Sequence, residues 1–179
     1  MVMPIGPLMI EHRLIDRMIA LMKREIDRIE RENKNNFDFI DSAVDFIRKY
    51  ADRCHHGKEE DILFRELKKK DMEIDHKRMM EELIADHKWA RETTAKLVAA
   101  KIKIVQDSQQ DKKPLIDYMK QLVEFYPKHI EKEDKRFFRP IMKYFSDKEQ
   151  DALLQEEYEF DKNFIHVLYR DMITKLEKL

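Results

Sequence analysis

Two strings in this 179-residue chain repeat one chemical pattern. Residues 55–64 read HHGKEEDILF and residues 129–138 read HIEKEDKRFF. Aligned, they share His at the start, Lys at +3, Glu at +4, an acid at +5 and Phe at +9. On an α-helix, positions i and i+4 lie on one face, about 40° apart. His55 with Glu59, and His129 with Glu133, can therefore each aim at a common point. Two further histidines keep step with them: His12 precedes His55 by 43 residues and His87 precedes His129 by 42. Their contexts agree too, Glu11-His12-Arg13 against Asp86-His87-Lys88. The chain reads as two helix pairs, each giving a lone His and then H-x-x-x-E, a weak internal repeat.

The donor types set the chemistry. Neutral imidazole suits iron, zinc, copper and nickel, and carboxylate oxygen suits harder ions. Six ligands (His12, His55, Glu59, His87, His129 and Glu133) are too many for one tetrahedral zinc. They suit two six-coordinate ions with both glutamates bridging and an oxide or hydroxide between them, which leaves two positions for solvent or a small ligand. Two carboxylates and the bridge offset most of the charge of a divalent pair, as a buried site requires. His56 with Glu60 is a rival pair about 100° round the helix. The repeat favours His55, because its +9 residue is Phe64, matching Phe138, whereas that of His56 is Arg65. This leaves His56 beside the ligand set or partly exposed.

Helices must carry these residues. Apolar positions at Leu8, Ile15, Met18, Ile19, Met22, Ile26 and Ile29 have helical spacing. The run NKNN at 33–36 ends that helix, and Asn36 can cap a second over 37–67. This second helix must continue through Gly57 for His55 and Glu59 to share a face, at a cost near ~1 kcal/mol. A glycine there could also admit the close approach of another helix. Asp71 or Asp75 can cap a third helix reaching about 105. Pro114 opens a fourth, running to about 144 with Pro127 inside it. Ser146 and Glu149 form the S-x-x-E box of a fifth, over about 146–178. The expected fold is all-α: an antiparallel up-down four-helix bundle over about 7–145 with an additional C-terminal helix, in one domain spanning 1–179.

Composition agrees. Only 2 Gly and 5 Pro nearly exclude an all-β fold of this length. Thirty-six basic against 37 acidic residues give no one-sided field, so neither nucleic acid nor an anionic membrane is an expected partner. A single cysteine, Cys54, allows no intrachain disulfide and fits a reducing compartment. The N-terminal MVMPIGPLMIEH lacks the basic start of a signal peptide, and the expected location is cytoplasmic. Phe64, Trp89, Phe137 and Phe138 are candidates to wall the site. Tyr126, three residues before His129, is either a core residue or a hydrogen-bond donor to a bound ligand. His76 reads as a surface residue, His166 as a core or interface residue, and Cys54 has no catalytic role.

The series H … H-x-x-x-E … H … H-x-x-x-E resembles the hemerythrin-like, or HHE cation-binding, domain family over roughly residues 7–145, with HHGKEEDILF close to that family's second-helix motif. The resemblance implies a four-helix bundle around a non-heme di-iron centre, oxo- or hydroxo-bridged, with His12, His55, Glu59, His87, His129 and Glu133 as ligands. The ligand set alone would also allow manganese or zinc. Oxygen-carrying hemerythrins place a second histidine one turn from the third-helix ligand, where this chain has Leu83 and Arg91. They also end with H-x-x-x-x-D, where this chain has His129-x-x-x-Glu133. Both departures point away from reversible oxygen carriage and towards sensing, redox or stress chemistry with dioxygen, nitric oxide or peroxide. Iron storage, delivery or iron-centre repair would use the same ligands. A homo-oligomer or a protein partner would serve a sensor of this length. A ferritin-like oxidase needs two E-x-x-H pairs, and Glu73-x-x-His76 stands alone. A metal-free helical interaction module would leave the repeated H-x-x-x-E to chance.

Overall fold

The computed structural model describes residues 3–107, 109–162 and 165–178, and these are helical with no strand among them. Helix α1 spans Ile5–Glu32. It ends where Asn33 takes the left-handed conformation (φ 53°) and its N–H closes on the Ile29 carbonyl at 2.8 Å. Helix α2 covers 37–67, capped as expected by the Asn36 side chain, which accepts from the Phe39 N–H at 3.1 Å. Helix α3 is Ile74–Gln106. Neither Asp71 nor Asp75 caps it: Glu73 precedes the first turn, and the Glu73 N–H donates to the Tyr144 hydroxyl at 3.0 Å. Helix α4 covers 113–144 and continues through Pro127.

The C-terminal segment departs from expectation. Instead of one helix it forms two, α5 (Asp147–Phe160) and α6 (Ile165–Leu176). Glu149 reaches back to the Ser146 N–H at 2.9 Å, so the start of α5 is the predicted one. Asp161 ends it, with its carboxylate drawn inward to Lys58.

Two apolar clusters order the core. One joins Leu8, Leu63, Phe64, Leu83, Phe137 and Phe138. The other joins Leu14, Met18, Phe46, Tyr50, Leu97 and Tyr126. Along α1 the chain passes from the first cluster to the second; α2 returns, α3 goes out again and α4 returns. Each helix changes cluster at its predicted ligands, so those polar residues form a layer between two greasy halves. Helices α5 and α6 pack over α1 and α2. Gly57 lies within α2 at helical angles, and a Cβ there would meet Phe160 of α5 at 3.2 Å. The glycine thus admits the covering helix.

Candidate metal centre

The first H-x-x-x-E string lies where the helix widens, and the second ends where its helix begins to widen. Over Ile47–His56 and Glu59–Phe64 in α2, and over Glu133–Phe137 in α4, the backbone adopts π-helical i→i+5 hydrogen bonding. More residues per turn means that successive side chains fan out by less than the ~100° of an α-helix. That brings a second imidazole inward beside His55.

The six predicted residues come together, all fully or almost fully buried. His12, His55, Glu59 and Glu133 form one group able to hold an ion, and His56, His87 and His129 form another. The glutamates span both. Glu59 sets Oε1 3.5 Å from His55 Nε2 and Oε2 3.3 Å from His87 Nε2. Glu133 sets Oε2 3.2 Å from His12 Nε2 and Oε1 3.1 Å from His129 Nε2. Of the two places expected for His56, the structure has the one beside the predicted ligands and not the exposed one. The residue is buried, its ring stacks on that of His87 (centroids 3.9 Å apart), and neither of its nitrogens has a hydrogen-bond partner.

Behind each of the other four imidazoles stands a carboxylate. Glu11 Oε2 lies 2.8 Å from His55 Nδ1, and Asp134 Oδ1 2.7 Å from His12 Nδ1. Glu60 Oε1 lies 2.7 Å from His87 Nδ1, and Asp86 Oδ2 3.3 Å from His129 Nδ1. An ionised carboxylate only accepts, so each Nδ1 carries a proton and each ring, when neutral, presents Nε2 to the layer as an acceptor. Each acid meets a cation in turn. Arg13 pairs with Asp134, Lys58 with Glu11, Arg91 with Glu60 (2.7 Å) and Lys132 with Asp86 (2.7 Å). The aligned strings already held these residues: the Lys at +3 holds the acid of the preceding helix, and the acid at +5 holds a histidine of another helix. Asp134 is the acid five residues after His129, and it binds a histidine instead of joining the ligand groups.

Charge in the layer is strained in a way that a cation relieves. Burial, then the charge of Glu133, pushes the Glu59 carboxyl well above its usual range. Burial acts the same way on Glu133, but His129 and His12 outweigh it and hold that carboxyl well below the usual range. Burial drives His55 down to about 4, with the charge of His12 adding to the effect. Burial also opposes the charge on His12, yet its bond to Asp134 and the nearby charge of Glu133 raise it to about 10. The inward nitrogens of His12, His55, His87 and His129, both nitrogens of His56, and all four oxygens of Glu59 and Glu133 lack hydrogen-bond partners. Unmade polar bonds in a buried site cost about 1–3 kcal/mol each, so this set is built for something that accepts electron pairs. Soft imidazole and hard carboxylate in one cluster fit transition-metal ions.

The walls are aromatic. Phe138 stacks on His12 at 5.7 Å, Phe64 on His87 at 6.2 Å, and Phe125 on His129 at 5.1 Å, a partner that the sequence reading did not name. Trp89 is not part of the wall: it is 37% exposed and lies against Phe125. His76 bonds the Tyr144 hydroxyl at 2.7 Å, away from the layer. His166 is half-buried between Tyr50 (3.0 Å) and Asp161 (3.0 Å). Cys54 is buried, and its thiol, pushed up by burial, donates to Asp161 at 3.5 Å.

A helical protein with such a layer is a cation binder of the histidine–glutamate kind. A family model described as the hemerythrin HHE cation-binding domain matches residues 3–141, and the chain belongs to that family. No curated protein and no solved structure matches the chain. Helices α5 and α6 lie outside the matched residues. No helix among the described residues is long and apolar enough to cross a membrane.

Proposed function

We propose that this is a non-heme di-iron protein which binds or reduces a small ligand such as dioxygen, nitric oxide or peroxide. In this reading α1–α4 form an up-down four-helix bundle, and α5 and α6 complete a single domain over its His55 side. The observation that carries it is the pairing of two histidine groups through two glutamates, each turning one oxygen to either group. His12 and His55 would hold one ion, His56, His87 and His129 the other, and Glu59 and Glu133 would bridge them. Nine donor atoms fill nine of the twelve positions of two six-coordinate ions, and a shared oxide or hydroxide would take two more, leaving one position where two remain if His56 is set aside. Iron bound here supplies reversible one-electron chemistry and open positions for ligand exchange. The four outer carboxylates keep each imidazole in the tautomer that presents Nε2, and the aromatic walls exclude bulk water.

The enclosed layer favours a retained centre over storage or delivery, since release would require the bundle to open. The test is metal content of protein expressed with iron and purified without chelator, read beside its near-ultraviolet absorption. About two irons per chain, with a charge-transfer band lost in His129→Ala/Glu133→Ala, is the expected result. A chain that takes up neither iron nor manganese, and whose melting is unmoved by chelator, would be a helical interaction module instead.

A further inference from the structure

Away from the layer, three unlike donors meet where the C-terminal cover closes on α2. Cys54 belongs to α2, Asp161 ends α5 and His166 lies in α6. Among the described residues they form a further group able to hold a metal ion, and two of the three lie outside the residues matched to the family. Asp161 Oδ1 stands 3.5 Å from Cys54 Sγ. His166 Nε2 stands 3.9 Å from the same sulfur and 3.0 Å from Asp161 Oδ2. Donors ~2.0–2.3 Å from a tetrahedral zinc ion lie ~3.3–3.6 Å from one another, so these separations bracket the edges of one face of such a tetrahedron.

The surroundings suit a cation. The Tyr50 hydroxyl lies 3.0 Å from His166 Nδ1 and can accept its proton, which leaves Nε2 as the donor, the task that the outer acids perform in the layer. Lys58 bonds Asp161 Oδ2 at 2.7 Å and so fixes the carboxylate with Oδ1 turned to the thiol. The charge of Lys58 is balanced in turn by Glu11. A thiolate and a carboxylate together cancel the charge of one divalent ion, as burial demands. A cavity of about 520 Å³ between α1 and the cover, with Tyr50, Asp161 and His166 in its wall, supplies an entry path. Of the arginines on that wall, Arg13 and Arg17 are paired with Asp134 and Glu177, and Arg170 is exposed to solvent.

We infer that Cys54 Sγ, Asp161 Oδ1 and His166 Nε2 form a separate mononuclear site for a zinc-like divalent cation, with its fourth position open to the cavity. The ion takes the place of the proton that the thiol donates to Asp161: the S–H bond breaks, a sulfur–metal bond forms and the proton leaves to solvent. Three protein donors and one open position match zinc sites that exchange a ligand, whereas closed structural sites have four. Sulfur sets this site apart from the histidine–glutamate layer, since Cys54 is the sole cysteine of the chain. The ion also ties both helices of the cover to α2. The site stands whether or not the layer carries iron.

The test titrates cobalt(II), a spectroscopic stand-in for zinc, into iron-loaded full-length chain, read as a difference spectrum with iron measured in every sample. A sulfur-to-cobalt charge-transfer band requires a thiolate, so cobalt that enters the layer does not contribute to it. The expected result is a band that saturates at about one cobalt per chain and is displaced by zinc. Cys54→Ser removes the band. His166→Ala weakens cobalt binding beyond the ~10–100-fold typical of losing an outer partner, and both variants keep their iron. His166 is half-buried, so His166→Ala decides the matter if Cys54→Ser does not fold. No sulfur band at saturating cobalt, or equal cobalt affinity in wild type and His166→Ala, overturns the site and leaves the di-iron reading intact. A band in a chain whose layer takes up no iron supports this site and overturns the di-iron reading alone.

Discussion

The first helix pair, α1 and α2, and the second, α3 and α4, are built to one plan and finished differently. In each, the acid before the lone histidine holds the histidine of the next helix: Glu11 with His55, Asp86 with His129. In each, the lysine three residues after that histidine caps the acid: Lys58 on Glu11, Lys132 on Asp86. The differences are two. Position +1 is His56 in the first pair and Ile130 in the second, so the fifth imidazole makes the two ion groups unequal. The Lys58 network is sealed under α5 and α6, whereas Lys132 and Asp86 remain in part open to water. A repeated string therefore lays down the candidate ligands, and a single substitution plus a C-terminal cover differentiate the halves.

The comparison can be broken most severely at its shared element. Glu59→Ala and Glu133→Ala should each reduce bound metal from about two ions per chain to one or fewer, since each removes a donor from both ions; elemental analysis after gel filtration checks this. Equal loss in the two variants supports two bridges, and loss in only one would assign a bridge to that residue alone. His56→Ala should weaken one ion beyond the ~10–100-fold typical of losing an outer partner, while Ile130→Ala leaves metal binding unmoved.

The next effect concerns the cover. Lys58→Met strands the buried Glu11 and half-buried Asp161 carboxylates and should destabilise by about 3–5 kcal/mol, a fall of roughly 10 °C in melting temperature. Lys132→Met, at the equivalent position in the open half, should cost less than about 1 kcal/mol. Similar melting shifts for the two would mean that the cover contributes nothing special.

The smallest effect sharpens the same contrast through pH. Glu157 of α5 is fully buried beside Lys58 and Glu11 with neither oxygen bonded, and burial raises its carboxyl from 4.5 to about 8. In the folded chain it holds its proton while the unfolded chain loses it. Its contribution is thus present at low pH and declines as pH rises from about 4.5 to about 8. Glu157→Gln should melt like wild type near pH 4 and be more stable by about 1–3 kcal/mol at pH 8. Parallel pH profiles for the two proteins would show that Glu157 is ionised and solvated.

Much of the layer was legible because spacing encodes it: the six buried histidines and glutamates that meet there, and the helices that carry them, follow from i/i+4 pairs and a near-equal stride. His56 was not, for a physical reason. At α-helical pitch it points about 100° from His55, and the widening to i→i+5 that turns it inward leaves no mark in the apolar pattern. The outer acids and lysines were visible as identities in the aligned strings, but their task depends on which helices become neighbours. Asp161, His166 and Glu157 had no spacing to betray them, since the segment that carries them sits outside the repeat. Trp89 was misplaced because an aromatic near a ligand in sequence can still face outward on a helix.

One consequence follows from how the outer acids are shared. Glu60 of the first half holds His87 of the second, and Asp134 of the second holds His12 of the first. Each half gives an acid and receives one across the same boundary. In quaternary terms this is an isologous contact, the self-complementary kind by which two copies of one subunit satisfy each other. Here the two partners are joined into one polypeptide through residues 68–73. A chain cut within that connection should still assemble, held by reciprocal bonds characteristic of a dimer.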